Sequence, residues 1–506
     1  MSARLGTLLC LDAGTTNVKA AIFDRQGQMI ATAEKPNSAL RREGRRVEQD
    51  MAASRSDAFT VLKLCIEKAS VPIDAIIVTA QGDGLWAIDN CGEPVGPALT
   101  WLDGRTRTLL GELDAVGHLQ RIRATTGSKP TTATQSVQLL WLMQNEPQRL
   151  RRIAHALRLK EWLCFSLTGK LLADPSAVLP TWGSWRTGET SRVIQDVLGL
   201  ERGIELLAEL RPVGECRAGL TEHAAHWLGL PAGIPVLQGP GDVQTTLIGL
   251  GLGTRPGVRR ASIFGTSAIH ASHQPDAATI KDTPAGAIVL KFVLGSGYFS
   301  VHPCFNGTTL TQHLSNLIDR WPAVIPPAYS SLIMHPFFEP GGERAPYTTP
   351  DATGAMIGLS AETSAAEIAW ASREALAFIA RTSHDIMPVS TGAVALGGGL
   401  SADRYFAQWF ATVMEAPVLS SSSSHASLRG LAAIGAKYIY ATSEAAISEF
   451  WLGAPDEILM PETGSVATYA AQKFSQFART IEALAPAWST QSAIRRIADT
   501  ASGRGT

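Results

Sequence analysis

Residues 8–24 run LLCLDAGTTNVKAAIFD. Leu8, Leu9, Cys10 and Leu11 form a short apolar run that stops at Asp12, the pattern of a buried strand meeting a turn. The segment Ala13-Gly14-Thr15-Thr16-Asn17 is small and polar, and Val18 to Phe23 predicts an outgoing strand. Arg25 to Gln28 is the next turn, marked by Gly27, and Met29 to Ala33 a third strand. A Gly-Thr-Thr turn leaves backbone N–H groups and two hydroxyls pointing outward with nothing bulky above them, which suits phosphate oxygens. Asp12 repels phosphate at neutral pH unless a hydrated Mg²⁺ lies between them, because Mg²⁺ keeps waters and takes one or two carboxylates. An ordinary hairpin with a solvated Asp has the same local pattern.

The pattern restarts halfway along the chain. Ala261 to Phe264 is apolar, Gly265-Thr266-Ser267 is a second Gly-hydroxyl turn, and Ala268 to Ser272 a second outgoing strand. The Gly-rich span 249–257 before it marks a hinge or boundary. Two α/β halves are expected, 1–250 and 251–506, with a ligand between them. A length of 506 residues also exceeds what one hydrophobic core usually holds. Near the C-terminus a strand from Ala393 to Leu396 ends in Gly397-Gly398-Gly399, and helices are expected over 403–414 and 428–442. In the first half, helices are predicted over 52–68, 106–116, 137–145 and 157–167, and strands over 74–79, 85–89 and 97–101. From Gln472 the tail is amphipathic helix, loosening from Gly503 on.

Composition removes several classes. Lys plus Arg number 44 against 45 Asp plus Glu, with no basic tract long enough to follow a nucleic-acid backbone. Arg41, Arg42, Arg45 and Arg46 fit a solvated loop. Six cysteines without CxxC spacing indicate a reducing compartment, and no apolar run reaches membrane-spanning length. A cytoplasmic protein without nucleic-acid or membrane partners is expected. GxxxxGK[ST], HExxH and a strand-to-helix GxGxxG are missing from the chain.

A nucleoside triphosphate held between two lobes accounts for Asp12, the two turns and the triple glycine together, since glycines let a flat base approach the backbone. Phosphoryl transfer needs positioning, a metal and a base for the acceptor's proton. Asp242 follows Gly239-Pro240-Gly241 at a strand-to-helix corner, where the backbone can crowd an alcohol; a helix N-cap is the commoner use of such an Asp. Asp83 and Asp103, near strand ends, could line a polyol pocket with Gln81 and Trp101, although each alone is an ordinary turn residue. Glu48 and Asp50 fit solvated positions.

These residues resemble the FGGY family of carbohydrate kinases, of the actin-like ATPase superfamily. The resemblance runs through LDAGTTNVKAAIFD (11–24), VEQD (47–50), AQGDGLWAIDNCGEPVGPALTWLDGRT (80–106) and LLWLMQNEP (139–147). It continues through LTGKLLADPS (167–176), GPGDVQTT (239–246), FGTS (264–267), GGERAPYTTPDATGAMIGLS (341–360) and LGGGLSADRYFAQWFA (396–411). It implies two ribonuclease-H-like lobes with ATP and Mg²⁺ in the cleft, and phosphate transfer to a sugar or polyol hydroxyl. It makes Asp242 the general base and puts Asp12 on the metal side. Thr15, Thr16, Asn17, Gly265, Thr266, Gly398 and Gly399 would bind the nucleotide; Gln81, Gly82, Asp83, Trp101, Asp103 and Asp242 would bind the acceptor. D-xylulose kinases commonly carry Met-His and glycerol kinases Arg-Glu where this chain has Gly82-Asp83. Gln-Gly-x-Gly at 81–84 is closer to kinases of erythritol and L-xylulose-type ketoses, with a D-xylulose kinase or a non-catalytic sugar-binding protein as alternatives. A homodimer is a further expectation.

Overall fold

The computed structural model describes residues 6–502 except 277, 279, 281, 340, 341, 350 and 390, and without the side chain of 496. The loose end expected from Gly503, and Gly341 at the head of the GGERAP segment, lie outside these. In the six-stranded sheet, Thr7–Ala13 runs antiparallel to Asn17–Asp24, and that strand to Met29–Pro36. Its other edge takes Ala75–Ala80 and then Pro235–Gln238 in parallel, and Arg217–Gly219 closes the sheet antiparallel. The seven-stranded sheet repeats this order. Val258–Phe264 pairs antiparallel with Ala268–Gln274, which pairs with Tyr298–Cys304; on the other side lie Ala393–Gly398 and Val418–Ser420 in parallel, then Glu457–Leu459 antiparallel. The predicted strands and helices named above are present, with bounds shifted by a few residues.

A five-stranded sheet is added to the first half, in the order Leu40–Glu43, Arg46–Gln49, Ala98–Thr100, Gly84–Ile88, His155–Leu157. Arg41 to Arg46 are therefore not a loose loop but an exposed β-hairpin, docked through Arg46–Gln49 on Ala98–Thr100. Among the described residues no helix is long and apolar enough to cross a membrane.

Strand parity positions the chemistry. In Thr7–Ala13, Leu9, Leu11 and Ala13 enter the first lobe's own core, whereas Leu8 and Cys10 face the other lobe. Alternation sends Asp12 the same way as Leu8 and Cys10. That inter-lobe core joins Leu8, Cys10, Phe23 and Ile77 to Ala261, Ala271, Phe299 and Val301 through two helices, Asp242–Gly249 and Ala426–Tyr440. The helices cross at glycines. A β-carbon on Gly249 would lie 1.8 Å from the Ala426 carbonyl oxygen, and one on Gly430 1.9 Å from that of Thr245. Gly249 thus serves helix contact rather than a hinge. Helix Ala426–Tyr440 also rests on the first sheet, where a β-carbon on Gly435 would lie 2.8 Å from Leu8 Cδ1.

The second sheet's opposite face carries a polar stripe inside an apolar core. Ser262 Oγ bonds His270 Nδ1 at 2.9 Å and His384 Nε2 at 3.0 Å, and both nitrogens of buried His302 lack a partner among the described residues. Burial pushes His270 down to about 3 and His302 to about 4, and holds His384 well below the usual range. These rings must stay neutral in the folded state while the unfolded chain binds protons from about pH 6.5 downward. Stability is therefore lost as pH falls from about 6.5 toward 4. His302→Leu is expected to flatten this acid limb, gaining roughly 1–3 kcal/mol over wild type at pH 4.5 in denaturant titrations. Equal slopes in the two proteins would contradict the assignment.

Candidate active site

Both Gly-hydroxyl turns are closed by their glycine N–H, the second over one residue fewer than the first. Gly14 N bonds Asn17 O at 3.0 Å, and Gly265 N bonds Ser267 O at 3.0 Å. The carbonyls behind each turn are tied back from outside. Asn37 Nδ2 donates to Gly14 O (3.2 Å) and Thr15 O (3.0 Å), and Asn37 N to Thr16 O (2.8 Å). In the second lobe, Thr308 N donates to Gly265 O at 2.8 Å and Thr309 Oγ1 to Thr266 O at 3.2 Å. With the carbonyls occupied, the N–H groups of Thr15, Thr16 and Thr266 remain without acceptors among the described residues, a cradle for an anion. Thr16 and Thr266 are exposed at the two tips, and Asn17 is half-buried at the start of its strand.

The Thr15 hydroxyl does not face the tip. It accepts from Trp101 Nε1 at 2.8 Å and donates to Gln81 Oε1 at 2.8 Å, and Gln81 Nε2 donates to Gln49 Oε1 at 3.1 Å. Thr15 therefore keeps its N–H free while its side chain fixes Trp101 and Gln81. Gly398, at φ +88°, pairs with Phe264 just before the second turn; a β-carbon there would lie 2.5 Å from Phe264 O, so glycine is required. At Gly399 the nearest atom to a β-carbon is 3.8 Å away, leaving the surface open beside the turn.

Asp242 is the first residue of its helix, and Gly241 occupies the cap without any side-chain bond. The N-cap reading fails for that reason: Asp242 Oδ1 bonds only the neighbouring Val243 N at 2.8 Å. The corner ahead of it is clamped. Lys160 Nζ, in a buried ion pair with Asp174, donates to Gly239 O at 3.1 Å, and Thr79 Oγ1 donates to Pro240 O at 2.6 Å. A β-carbon on Gly241 would lie 3.5 Å from Gly82 Cα, while one on Gly82 would meet nothing within 4 Å. The 81–84 loop thus abuts the Asp242 corner and leaves Gly82 open toward the cleft.

Three carboxylates gather here. Burial, then the charges of Asp12 and Asp83, push Asp242 up to about 7. Burial raises Asp83 against the pull of Arg158 and Arg344. Burial also raises Asp12, against the Ser427 hydroxyl and the Lys19 ammonium, and Asp12 Oδ1 is buried without a partner. Among the described residues no group of three or more His, Cys, Asp or Glu could hold a metal by itself. A lone orphaned carboxylate oxygen beside a phosphate cradle fits a hydrated Mg²⁺, which completes its shell with water and phosphate.

Asp103 corrects the sequence expectation. Its side chain is buried and saturated by Val47 N (2.9 Å), Arg105 N (3.0 Å) and the Arg105 guanidinium (2.9–3.1 Å), so no oxygen faces the cleft. Arg105 also binds Glu48 at 2.8 Å, and Asp50 caps helix Met51–Ala69 through Ala53 N at 2.9 Å. Neither acid is idle. Sequence reasoning passed over Asn37, Lys160, Asp174 and Arg344; only the strict Asp103-x-Arg105 spacing hinted at an internal pair.

Residues 7–249 match the model of the FGGY family of carbohydrate kinases, N-terminal domain, and residues 308–438 that of its C-terminal domain. The chain is 27% identical to an erythritol kinase of Brucella abortus over 95% of this chain and 97% of that one. It is 29% identical to a glycerol kinase of Rhodospirillum rubrum over 80% and 85% of the two chains. In fold it is similar to a gluconate kinase from Lactobacillus acidophilus, with a TM-score of 0.86, 21% identity, and coverage of 96% and 99%. Two carbohydrate-kinase domain matches spanning most of the chain, on two repeated lobes with a carboxylate-lined cleft, make this protein a member of the FGGY family of carbohydrate kinases.

Proposed function

We propose that the protein transfers the γ-phosphoryl group of ATP to a hydroxyl of a small linear polyol, erythritol or a related short polyol or ketose, with Asp242 as general base. The observation that carries this reading is the setting of Asp242: half-buried at a clamped corner, at the head of a helix that Gly241 caps, with only Val243 N on its carboxylate among the described residues, and adjacent to the open Gln81-Gly82-Asp83 loop. The similarity to an erythritol kinase along nearly the whole chain supports the acceptor class. Asp83 accepts from acceptor hydroxyls, and the Trp101 indole, held by Thr15, packs on its C–H face. The acceptor O–H gives its proton to Asp242 as its oxygen bonds the γ-phosphorus. The bond from that phosphorus to the β,γ-bridging oxygen breaks, and ADP leaves with the electron pair. The free N–H groups of the Gly14 and Gly265 turns hold the phosphates, and Gly398 and Gly399 admit the base. Asp12 would hold a hydrated Mg²⁺, which would supply neutralisation of phosphate charge.

ADP release with Mg-ATP across erythritol, L- and D-xylulose, ribulose, glycerol, ribitol and xylitol tests the proposal. One strong polyol or ketose responder is expected; silence across all of them, with ATP still bound, would reject it. Asp83→Ala should raise the acceptor KM roughly 10- to 100-fold with little change in that for ATP, since a hydrogen bond to a charged group contributes about 1.5–3 kcal/mol. Equal effects on both substrates would make Asp83 structural.

A stability test is independent of turnover. Because Asp242 is held near 7, the folded protein keeps a proton that the unfolded chain loses near pH 4, so the carboxyl costs stability as pH rises from about 4 to 7. Without nucleotide and with a chelator, Asp242→Asn should be more stable than wild type by on the order of 1–2 kcal/mol at pH 8, with the gap closing toward pH 4. A variant less stable at every pH would show that Asp242 holds the fold.

A further inference from the structure

Among the described residues the Asp242 carboxylate is bonded only within its own helix, to Val243 N. Whatever fixes the roll of that helix about its axis therefore aims the carboxylate. Residues two apart on a helix project about 200° apart, so Gln244 leaves Asp242–Gly249 on the side away from Asp242. Gln244 is buried, and both ends of its amide are engaged by the second lobe. Its Nε2 donates to Lys291 O at 3.1 Å, and its Oε1 accepts from Val293 N at 3.1 Å. Strand Ile288–Lys291 is the edge of the seven-stranded sheet and pairs with Tyr298–Cys304. The outward backbone groups of an edge have no further strand to pair with, and a carboxamide, which offers donor and acceptor side by side, stands in for one. Thr245 Oγ1 also meets Ser427 Oγ at 2.9 Å, but one hydroxyl contact leaves a helix able to roll, whereas a two-point amide does not.

The segment that Gln244 grips is itself held from two other sides. From helix Ala426–Tyr440, Lys437 Nζ donates to Leu294 O at 2.6 Å and the Tyr438 hydroxyl to Val293 O. From the first lobe, Ser128 Oγ accepts from Val289 N at 3.1 Å, and Trp185 meets Tyr298 edge-on with ring centroids 5.8 Å apart. Trp185 has no slack, since a β-carbon on Gly127 would lie 2.6 Å from its Cδ1. The partner strand Tyr298–Cys304 runs on into Phe305 and Asn306. Glu343 accepts from Phe305 N at 2.6 Å and Asn306 Nδ2 at 2.9 Å, and the Arg344 guanidinium carbon lies 3.9 Å from the Phe305 ring centroid. Two residues further, Thr308 N bonds Gly265 O at 2.8 Å. One hairpin thus grips the helix that begins with Asp242 and, through its other strand, leads to the Gly265 turn.

We infer that Gln244 is a positioning residue for Asp242: its amide references the carboxylate to the hairpin that also supports the Gly265 turn, so that the proton acceptor and the phosphate cradle keep one separation. The inference rests on the phosphotransfer reading above. Without the amide, Lys291 O and Val293 N lose their partner and the first turn of the helix can roll. A displacement of about 1 Å at the carboxylate is enough to cost on the order of 100-fold in transfer. Binding is spared, because Gln244 lies on the far side of the helix from Asp242 and touches neither substrate.

The test is the single-turnover transfer rate, with Mg-ATP and the acceptor found by the panel, together with steady-state KM values. It compares wild type, Gln244→Met, Asp242→Asn and the double variant. Gln244→Met keeps the length of the side chain and removes the amide. It should slow transfer roughly 10- to 100-fold, with the KM values for acceptor and ATP within about threefold of wild type. Added to Asp242→Asn it should cause no further loss, because a residue that acts through the carboxylate then has nothing left to position. Thermal melting checks folding; if Gln244→Met melts early, Gln244→Asn, polar but too short to span Lys291 O and Val293 N, carries the same comparison. Transfer at the wild-type rate in a folded Gln244 variant would overturn the inference alone. So would a double variant slower than Asp242→Asn by the full factor that the Gln244 substitution costs by itself. Asp242→Asn transferring at the wild-type rate would overturn the functional reading and this inference together.

Discussion

The close crossing of helices Asp242–Gly249 and Ala426–Tyr440 is the constraint on which the rest depends. At Gly249 and Gly430 each backbone meets the other with no space for a β-carbon. Any larger residue would push the lobes apart, and the chemistry is mounted on these helices: Asp242 begins one and Ser427 lies in the first turn of the other. Thr245 Oγ1 and Ser427 Oγ, 2.9 Å apart, bridge them on the cleft side. The inter-lobe apolar core holds the crossing from behind, so packing at one end sets carboxylate geometry at the other.

That geometry is electrostatically unfavourable by itself. Asp12, Asp83 and Asp242 are crowded at the head of the cleft, with burial raising all three and the charges of Asp12 and Asp83 raising Asp242 further. A fold selected only for stability would not assemble them. The arrangement makes sense when each acid is given a task that relieves it: a cation at Asp12, hydroxyls at Asp83 and a proton accepted at Asp242. Opposing them are two cradles whose carbonyls are tied away by Asn37 and by Thr308 and Thr309, leaving N–H groups for phosphate. In the proposed function, carboxylates and amide donors divide the cleft into an acceptor side and a phosphate side.

The local parts of this plan were legible in the sequence. The Leu8–Asp24 hairpin, its echo at Ala261–Ser272 and the strand before the glycines at 397–399 are continuous segments, and period-two alternation even fixes which way Asp12 points. Parts made by distant pairing were not. Lys160 reaches Gly239 across 79 residues, and Arg344 depends on Phe305 and Asn306. Nothing in the local pattern of either segment announces such a partner. Asp103 misled for the opposite reason: its strand-end position resembles that of Asp83, but Arg105 two residues on consumes it. Exposure, rather than residue type or spacing, separates the two acids.

The most direct test of the account is a rapid-quench measurement of a single turnover, with Mg-ATP and the best acceptor, on wild type and Asp242→Asn. The variant is expected to keep its fold and its affinity for ATP and to lose phosphoryl transfer by roughly 10²–10⁴-fold, the usual worth of a positioned base. Transfer at close to the wild-type rate would remove Asp242 from the chemistry and leave the carboxylate cluster without its central purpose.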